Sequence, residues 1–375
     1  MTDTSLKILQ ISSAQSIGGG ERHFADLASG LATRGHDVHA VLRCDSPLLS
    51  ELPELGINIS TLPLRNALDA PSARKLARLV RQREIDIVHA HMARDYPLAA
   101  YATRRNPQAK LIVTRHVLFP LNRLHRLVLS QAARVIAVSE AVARAIRAQG
   151  LVPAKQVVVV PNGIDVDRLA PARARFDART FHRRWNIPED RLLVGSVGEI
   201  RPLKGHEDFL RAAAVIIRHF PKTHFLIAGI DASHTGENRA ALERLIADLS
   251  LTKHVQLFGW LDDLPSFYGA LDVFVSASHT ESFGLAIAEA LASGTPVVAT
   301  RTEGAEEILA PEQSGSLVPV SDVEALATAV TAILKHPEQS RRRAMIGTEI
   351  ARRRFSVARM VEETEQLYRT ALEEF

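Results

Sequence analysis

Two glutamates, Glu281 and Glu289, stand eight residues apart with Phe283-Gly284-Leu285 between them and the apolar run Pro296–Ala299 beyond. On a helix, eight residues rise about 12 Å and return to nearly the same face. Two carboxylates so placed would hold the ends of one elongated, hydroxyl-rich ligand. Phe283-Gly284-Leu285 lies where the helix should begin, and the unpaired N–H groups and positive dipole end of a helix start suit an anion. Hydroxyl-binding groups at both ends with a phosphate seat between them fit a nucleotide sugar. For an arbitrary pair at this spacing, the commoner case is an amphipathic helix with two solvated glutamates.

A second group of residues suits the same chemistry. Gly195-Ser196-Val197-Gly198-Glu199-Ile200-Arg201-Pro202-Leu203-Lys204-Gly205 reads as a strand, a loop and a helix start, which brings a cation to the place where phosphates meet a helix N-terminus. The bland alternative for Lys204 is a solvated lysine. Ile17-Gly18-Gly19-Gly20-Glu21-Arg22 falls between a first strand and a first helix, where glycines let a backbone approach a ligand. Gly18 and Gly20 begin a G-x-G-x-x-G pattern, but His23 stands at the third position, so a dinucleotide reading is weak.

His89, His91 and His116 follow strands of the first half. His89 and His91 are two apart, so on an extended chain both would point to one side. Three imidazoles without a carboxylate or cysteine pattern leave a metal site as the minor reading, beside structural histidines and a ligand-binding role. Asp165-Val166-Asp167 has the D-x-D spacing that grips manganese in some sugar transferases. Trp260, in Phe258-Gly259-Trp260-Leu261, reads as core ahead of a stacking platform.

These residues need elements to position them. Lys7–Ile11, Asp37–Leu42, Asn58–Leu62, Asp86–Ala90, Lys110–Thr114, Val135–Val138 and Val157–Val160 are short β-branched runs, separated by helical periodicity over Glu21–Arg34, Ser72–Gln82 and Ser139–Gln149. A second series has strands at Leu193–Val197, His224–Ala228, Val255–Phe258, Val273–Ser276, Pro296–Ala299 and Leu317–Val318, with helices near 206–219, 237–250, 264–270, 284–292 and 322–335. Such alternation implies parallel sheets wrapped by helices, in two Rossmann-like domains with a ligand cleft at the carboxyl ends of the strands. The expected layout is a first domain over 1–170, a linker over 171–187, a second domain over 188–355 and a terminal helix over 356–375, set off by the basic run Arg352-Arg353-Arg354.

A chain of 375 residues exceeds the size of a single core, in keeping with two domains. The lone cysteine excludes an internal disulfide framework and fits a reducing compartment. No apolar run approaches the length of a membrane span and the N-terminus lacks signal-peptide segments, so a cytoplasmic protein is expected. Residues 1–180 carry an excess of about ten positive charges and the remainder about six negative, within a net charge of +4. Little aromatic content and no zinc-finger spacing argue against nucleic acid as the partner of the basic half. An anionic membrane or phosphorylated glycolipid fits it better.

Pro161-Asn162-Gly163-Ile164-Asp165, Lys204-Gly205, Ser293-Gly294-Thr295-Pro296-Val297-Val298 and Ser314-Gly315-Ser316-Leu317-Val318 occur in the order and spacing typical of one family. In them the chain resembles the retaining glycosyltransferases of family 4, over nearly its whole length and most strongly from about 155 to 330. The resemblance implies the α/β GT-B fold: two Rossmann-like domains with parallel sheets facing across a cleft, and a C-terminal helix crossing back to the first domain. It implies a histidine near the donor sugar, best matched by His91, and a Gly19-Gly20 loop flanking diphosphate and acceptor. Lys204 falls on the phosphate lysine; Glu199 stands where an arginine is usual, leaving Arg201 as its replacement. Glu281 falls on the sugar ligand, Glu289 on the ribose ligand, Leu261 beside the base, and Phe283, Gly284 and Leu285 at the phosphate seat. Thr302-Glu303-Gly304 stands where two glycines are usual, and Asp165-Val166-Asp167 belongs to the family's hinge, so no metal or other cofactor is implied. The implied activity is sugar transfer from a UDP- or GDP-linked donor to a glycan or glycolipid in cell-envelope polysaccharide or lipopolysaccharide synthesis, at the inner face of the membrane. An epimerase of the same fold and a non-catalytic nucleotide-sugar binder are the alternatives.

Overall fold

Runs of buried valine, isoleucine, leucine and alanine, apolar on both faces, pair side by side into two all-parallel sheets, as such runs do when helices cover both faces. The computed structural model describes residues 5–123, 125–233, 235–309 and 314–374. Its chain divides into two compact units, one running to Gly163 and resuming at Val357, the other spanning Ile164–Ser356.

In the first unit the strands are β1 (Lys7–Ser12), β2 (Asp37–Arg43), β3 (Asn58–Leu62), β4 (Ile87–Ala90), β5 (Lys110–Arg115), β6 (Ala132–Ala137) and β7 (Val157–Val159), in the order 3-2-1-4-5-6-7. The order reverses between β1 and β4, which pair with Ile8 opposite Ile87 and Ile11 opposite Ala90. Loops leaving these two strands diverge to opposite faces and open a crevice at their carboxyl ends, the usual seat of ligands on such sheets. Helix Val357–Glu373 completes this unit, adding Met360, Val361, Leu367, Tyr368 and Ala371 to the core formed by Ile8, Phe24, Leu27, Leu31 and Ile112. It crosses helix Gly19–Thr33 so closely that a Cβ on Gly30 would lie 2.4 Å from Val361 Cγ2.

In the second unit β8 (Leu192–Val197), β9 (Thr223–Ala228), β10 (Val255–Phe258), β11 (Val273–Ser276), β12 (Val297–Thr300) and β13 (Ser316–Val318) are ordered 10-9-8-11-12-13, reversing between β8 and β11. Val194, Phe225, Ile227, Val275 and Val298 form its core with helices His206–Ile216 and Val323–Lys335.

Two segments differ from the expected layout. Residues 171–187, expected as a linker, fold into the second unit as part of helices Ala172–Arg175 and Ala178–Arg184, because Phe181 and Ile187 are buried and Trp185 packs edge-on against Phe258 at 4.6 Å. The units exchange chain at Gly163–Ile164, where a Cβ on Gly163 would lie 2.7 Å from Val357 Cα. Arg352-Arg353-Arg354, read as a separator, is the last turn of helix Pro337–Phe355, where cations complement the negative end of the dipole.

Candidate functional site

Most candidate residues of the second unit follow β8 and β11, the strands between which the order reverses, while Leu261 follows β10. After β8 the chain runs through Glu199 and Arg201 into the single turn Pro202–Lys204, then turns left-handed at Gly205, with φ +64°. A Cβ at Gly205 would fall 1.9 Å from the Ala277 carbonyl oxygen. Only glycine lets this turn lie against the end of β11, and that contact carries Lys204 to Glu281. Lys204 Nζ donates to Glu281 Oε1 at 2.5 Å, and Ser278 Oγ donates to the same oxygen at 3.0 Å. An ammonium has three N–H donors, so two remain for other acceptors.

Glu281 and Glu289 do not share a helix. The chain reverses into the left-handed region at Gly284, φ +105°, and the helix begins only at Leu285, ending at Ala292. Glu281 therefore lies in the loop before the helix and Glu289 in its second turn. The carboxyl of Glu289 accepts from the hydroxyl of the fully buried Tyr268 at 2.7 Å. Phe283 is buried and packs edge-on against Phe355 at 5.3 Å, which fixes the backbone leading into Gly284 and Leu285. Beside this loop, a Cβ on Gly304 would sit 2.4 Å from the Phe283 carbonyl oxygen, while the neighbouring Glu303 is exposed and starts its own helix. Of the two positions where glycine is usual, the crowded one keeps it.

Arg201 is half-exposed and pairs with Glu199 at 3.2 Å, so the residue expected to replace the missing arginine is held by the glutamate that displaced it. Leu261 is half-buried, and Trp260 is 48% exposed, which corrects its reading as core. Asp165 caps helix Val166–Leu169 by accepting from Arg168 N at 3.0 Å, so the D-x-D spacing serves a helix start.

In the first unit, Gly19 and Gly20 open helix Gly19–Thr33, and the Gly18 N–H donates to Glu21 Oε2 at 2.9 Å. Arg94 clamps the end of β1 by donating to the Ser13 hydroxyl and carbonyl, both at 2.7 Å, while Asp95 accepts from Ser13 N at 2.8 Å. Burial pushes the Asp95 carboxyl up to about 6. The rings of His89 and His91 lie 4.1 Å apart, on one side as their spacing implies, but their further partners differ. His89 Nδ1 lies 2.6 Å from the Tyr368 hydroxyl and Nε2 2.7 Å from Thr114 Oγ1, so this histidine is tied into the core. His91 also faces His116 and His23, the latter noted in the sequence only for breaking the glycine pattern. Both ring nitrogens of each of these three are buried without a hydrogen-bond partner among the described residues. Burial lowers the pKa of His23 to about 4 and those of His91 and His116 well below the usual range, so all three imidazoles are neutral at pH 7. His23 was detectable only as an extra imidazole one turn into the helix after the glycine loop.

A family model described as Glycosyltransferase Family 4 matches residues 17–168, and one described as Glycosyl transferases group 1 matches residues 177–349. The chain belongs to glycosyltransferase family 4. This glycosyltransferase is 25% identical to an N-acetyl-alpha-D-glucosaminyl L-malate synthase of Bacillus anthracis over 94% of each chain. It is 36% identical to a D-inositol 3-phosphate glycosyltransferase of Corynebacterium urealyticum over 49% of its own length and 44% of that enzyme's, so the match spans less than half of that relative. Among solved structures, the Anabaena protein HepE in complex with UDP and glucose superposes with a TM-score of 0.86 at 22% identity, covering 97% of this chain and 100% of that one. The likeness places both units in the GT-B class of paired Rossmann-like folds.

Proposed function

We propose that this family 4 glycosyltransferase moves a hexose-type sugar from a UDP- or GDP-linked donor to a glycan or glycolipid acceptor, retaining configuration at the anomeric carbon. The observation that carries the reading is the junction of Lys204 and Glu281 beside the helix start at Gly284–Leu285. Departure of a nucleoside diphosphate puts negative charge on the β-phosphate; the two remaining N–H donors of Lys204, Arg201, and the helix N–H groups would stabilise it. Both side-chain bonds to Glu281 land on Oε1, which leaves Oε2 for the hydroxyls of the sugar. Glu289, oriented by Tyr268, takes the ribose hydroxyls, and the backbone near Leu261 borders the base.

His91 supplies a hydrogen bond to the transferred sugar, and the Gly19-Gly20 helix start favours an anionic group of donor or acceptor. No carboxylate is given the part of a covalent nucleophile in this mechanism, and the acceptor's proton goes to the leaving phosphate. With a lysine and a helix start at the diphosphate, it calls for no metal there.

A glycolipid acceptor is supported by Phe119 and Leu127, exposed at 56% and 70%, in a segment that also carries Arg123 and Arg126. Among the described residues no helix is long and apolar enough to cross a membrane, so contact with an anionic lipid face would be peripheral. Liposomes of anionic lipid should bind the protein at low salt and release it at high salt.

Thermal unfolding against UDP, GDP and their common sugars tests the proposal. A true ligand raises the midpoint with occupancy, and Glu289→Ala removes the rise. If no nucleotide shifts the midpoint and Glu289→Ala leaves donor turnover untouched, the proposal fails.

A further inference from the structure

His23, His91 and His116 come from three separate segments: the first helix, the end of β4 and the end of β5. Their ligand atoms all lie within 4.8 Å of one another. The ring centroids are 4.8 Å apart for His23 and His116, 5.6 Å for His23 and His91, and 5.9 Å for His91 and His116. Three imidazoles bound tetrahedrally at about 2.0–2.1 Å would have their centroids about 5 Å apart and their ligating nitrogens about 3.3 Å apart. The rings already stand at the required separation, and small ring rotations would bring the nitrogens inward.

Burial makes the arrangement costly as it stands. His23 is 3% exposed and His91 4%, yet none of the six ring nitrogens has a partner among the described residues. The Asn162 side chain lies against His23 closely enough to favour its charged form, and its own oxygen is buried. That oxygen is the acceptor to which a metal-bound ring would donate its other N–H, fixing the tautomer as a second layer does in histidine metal sites. His116 is half-buried as a residue, but both of its ring nitrogens are buried with those of the other two.

We propose that His23, His91 and His116 form a site for one divalent ion of the zinc class, held by three imidazoles with a fourth position open. The clustering of three histidines without thiolate or carboxylate suits zinc, cobalt or nickel and disfavours magnesium and calcium, which prefer oxygen. The site departs from the expectation of no metal drawn from the sequence, which did not bring His23 to the cluster. Where His91 also serves a sugar, as the functional reading has it, the ion competes for the same nitrogen; binding of the ion itself does not depend on that reading.

The test uses the whole chain without a polyhistidine tag. Equilibrium dialysis with zinc should give one ion per chain, magnesium should not displace it, and cobalt(II) should show the intense visible absorption of a four-coordinate site. His116→Gln and His91→Gln should each weaken zinc binding at least 100-fold, with metal-free circular dichroism and thermal unfolding confirming that each variant folds. His219→Gln, which changes an exposed histidine of the other unit, should leave binding unchanged. Failure of the folded wild-type chain to bind zinc overturns the proposal. So does binding that survives both cluster substitutions, or that is lost equally in His219→Gln, which would mark adventitious surface ligation.

Discussion

Lys204→Met keeps most of the aliphatic stem and removes the ammonium, which separates two effects of different size. The Lys204 and Glu281 side chains are 28% and 13% exposed. Without the lysine, Glu281 retains the Ser278 hydroxyl but loses its cation. Leaving a largely buried carboxylate with one neutral donor costs about 1–3 kcal/mol of stability. For a unit of this size that lowers the unfolding midpoint by about 2–4 °C per kcal/mol. The catalytic effect is larger: by analogy with deleting one oxyanion donor, loss of a contact to the leaving diphosphate costs about 3–4 kcal/mol, or roughly 100- to 1,000-fold in kcat. The assay is nucleoside diphosphate release from the donor identified by thermal unfolding, with the midpoint recorded for each variant. The double variant Lys204→Met/Glu281→Gln also removes the stranded charge, so it should recover stability while turnover stays low. If turnover returns with the stability, or if Lys204→Met alone keeps kcat/KM within threefold of the parent, the pair is structural and the phosphate role is refuted.

Tyr368→Phe strips the partner from the fully buried His89 Nδ1 in the first unit, and should lower stability by about 1–3 kcal/mol in denaturant unfolding while leaving nucleotide binding intact. Gly205→Ala meets a left-handed backbone and the Ala277 carbonyl, and should cost more than about 2 kcal/mol. Gly20→Ala, whose Cβ would meet only the His116 ring at 3.7 Å, should melt within a few degrees of the parent. His206, whose burial lowers its pKa to about 4, stays neutral in the fold while the unfolded chain takes a proton below about 6.5. Its contribution is therefore lost as pH falls from about 6.5 to 4, at up to about 1.4 kcal/mol per pH unit. His206→Gln should flatten the acid limb of a stability-against-pH curve measured by guanidinium unfolding; an unchanged limb refutes the assignment.

The strands were legible because most run apolar on both faces, and bounds such as Asn58–Leu62, Val255–Phe258 and Val273–Ser276 stand as read. Helix Pro337–Phe355 was not: the residues it buries include Ser340, Ala344, Gly347 and Ala351, too small to give an apolar stripe in a sequence so rich in arginine. At the candidate site, Lys204-Gly205 announced its geometry through the glycine that permits it. The helical spacing drawn for Glu281 and Glu289 failed because the same kind of residue, Gly284, starts the helix four residues too late. His23 escaped because its neighbours reach it through the sheet order, which no local pattern encodes.

The first unit is assembled from both ends of the described chain, and translation delivers them far apart in time. Until residues 357–373 leave the ribosome, Gly30 lacks the methyl groups of Val361, Arg34 lacks the carboxylate of Glu365, and His89 lacks the hydroxyl of Tyr368. The second unit, continuous from Ile164 to Ser356, has everything it needs earlier. A nascent polypeptide stalled before Val357 would thus carry a finished lobe attached to an unfinished one, a natural client for chaperones and an easy target for degradation.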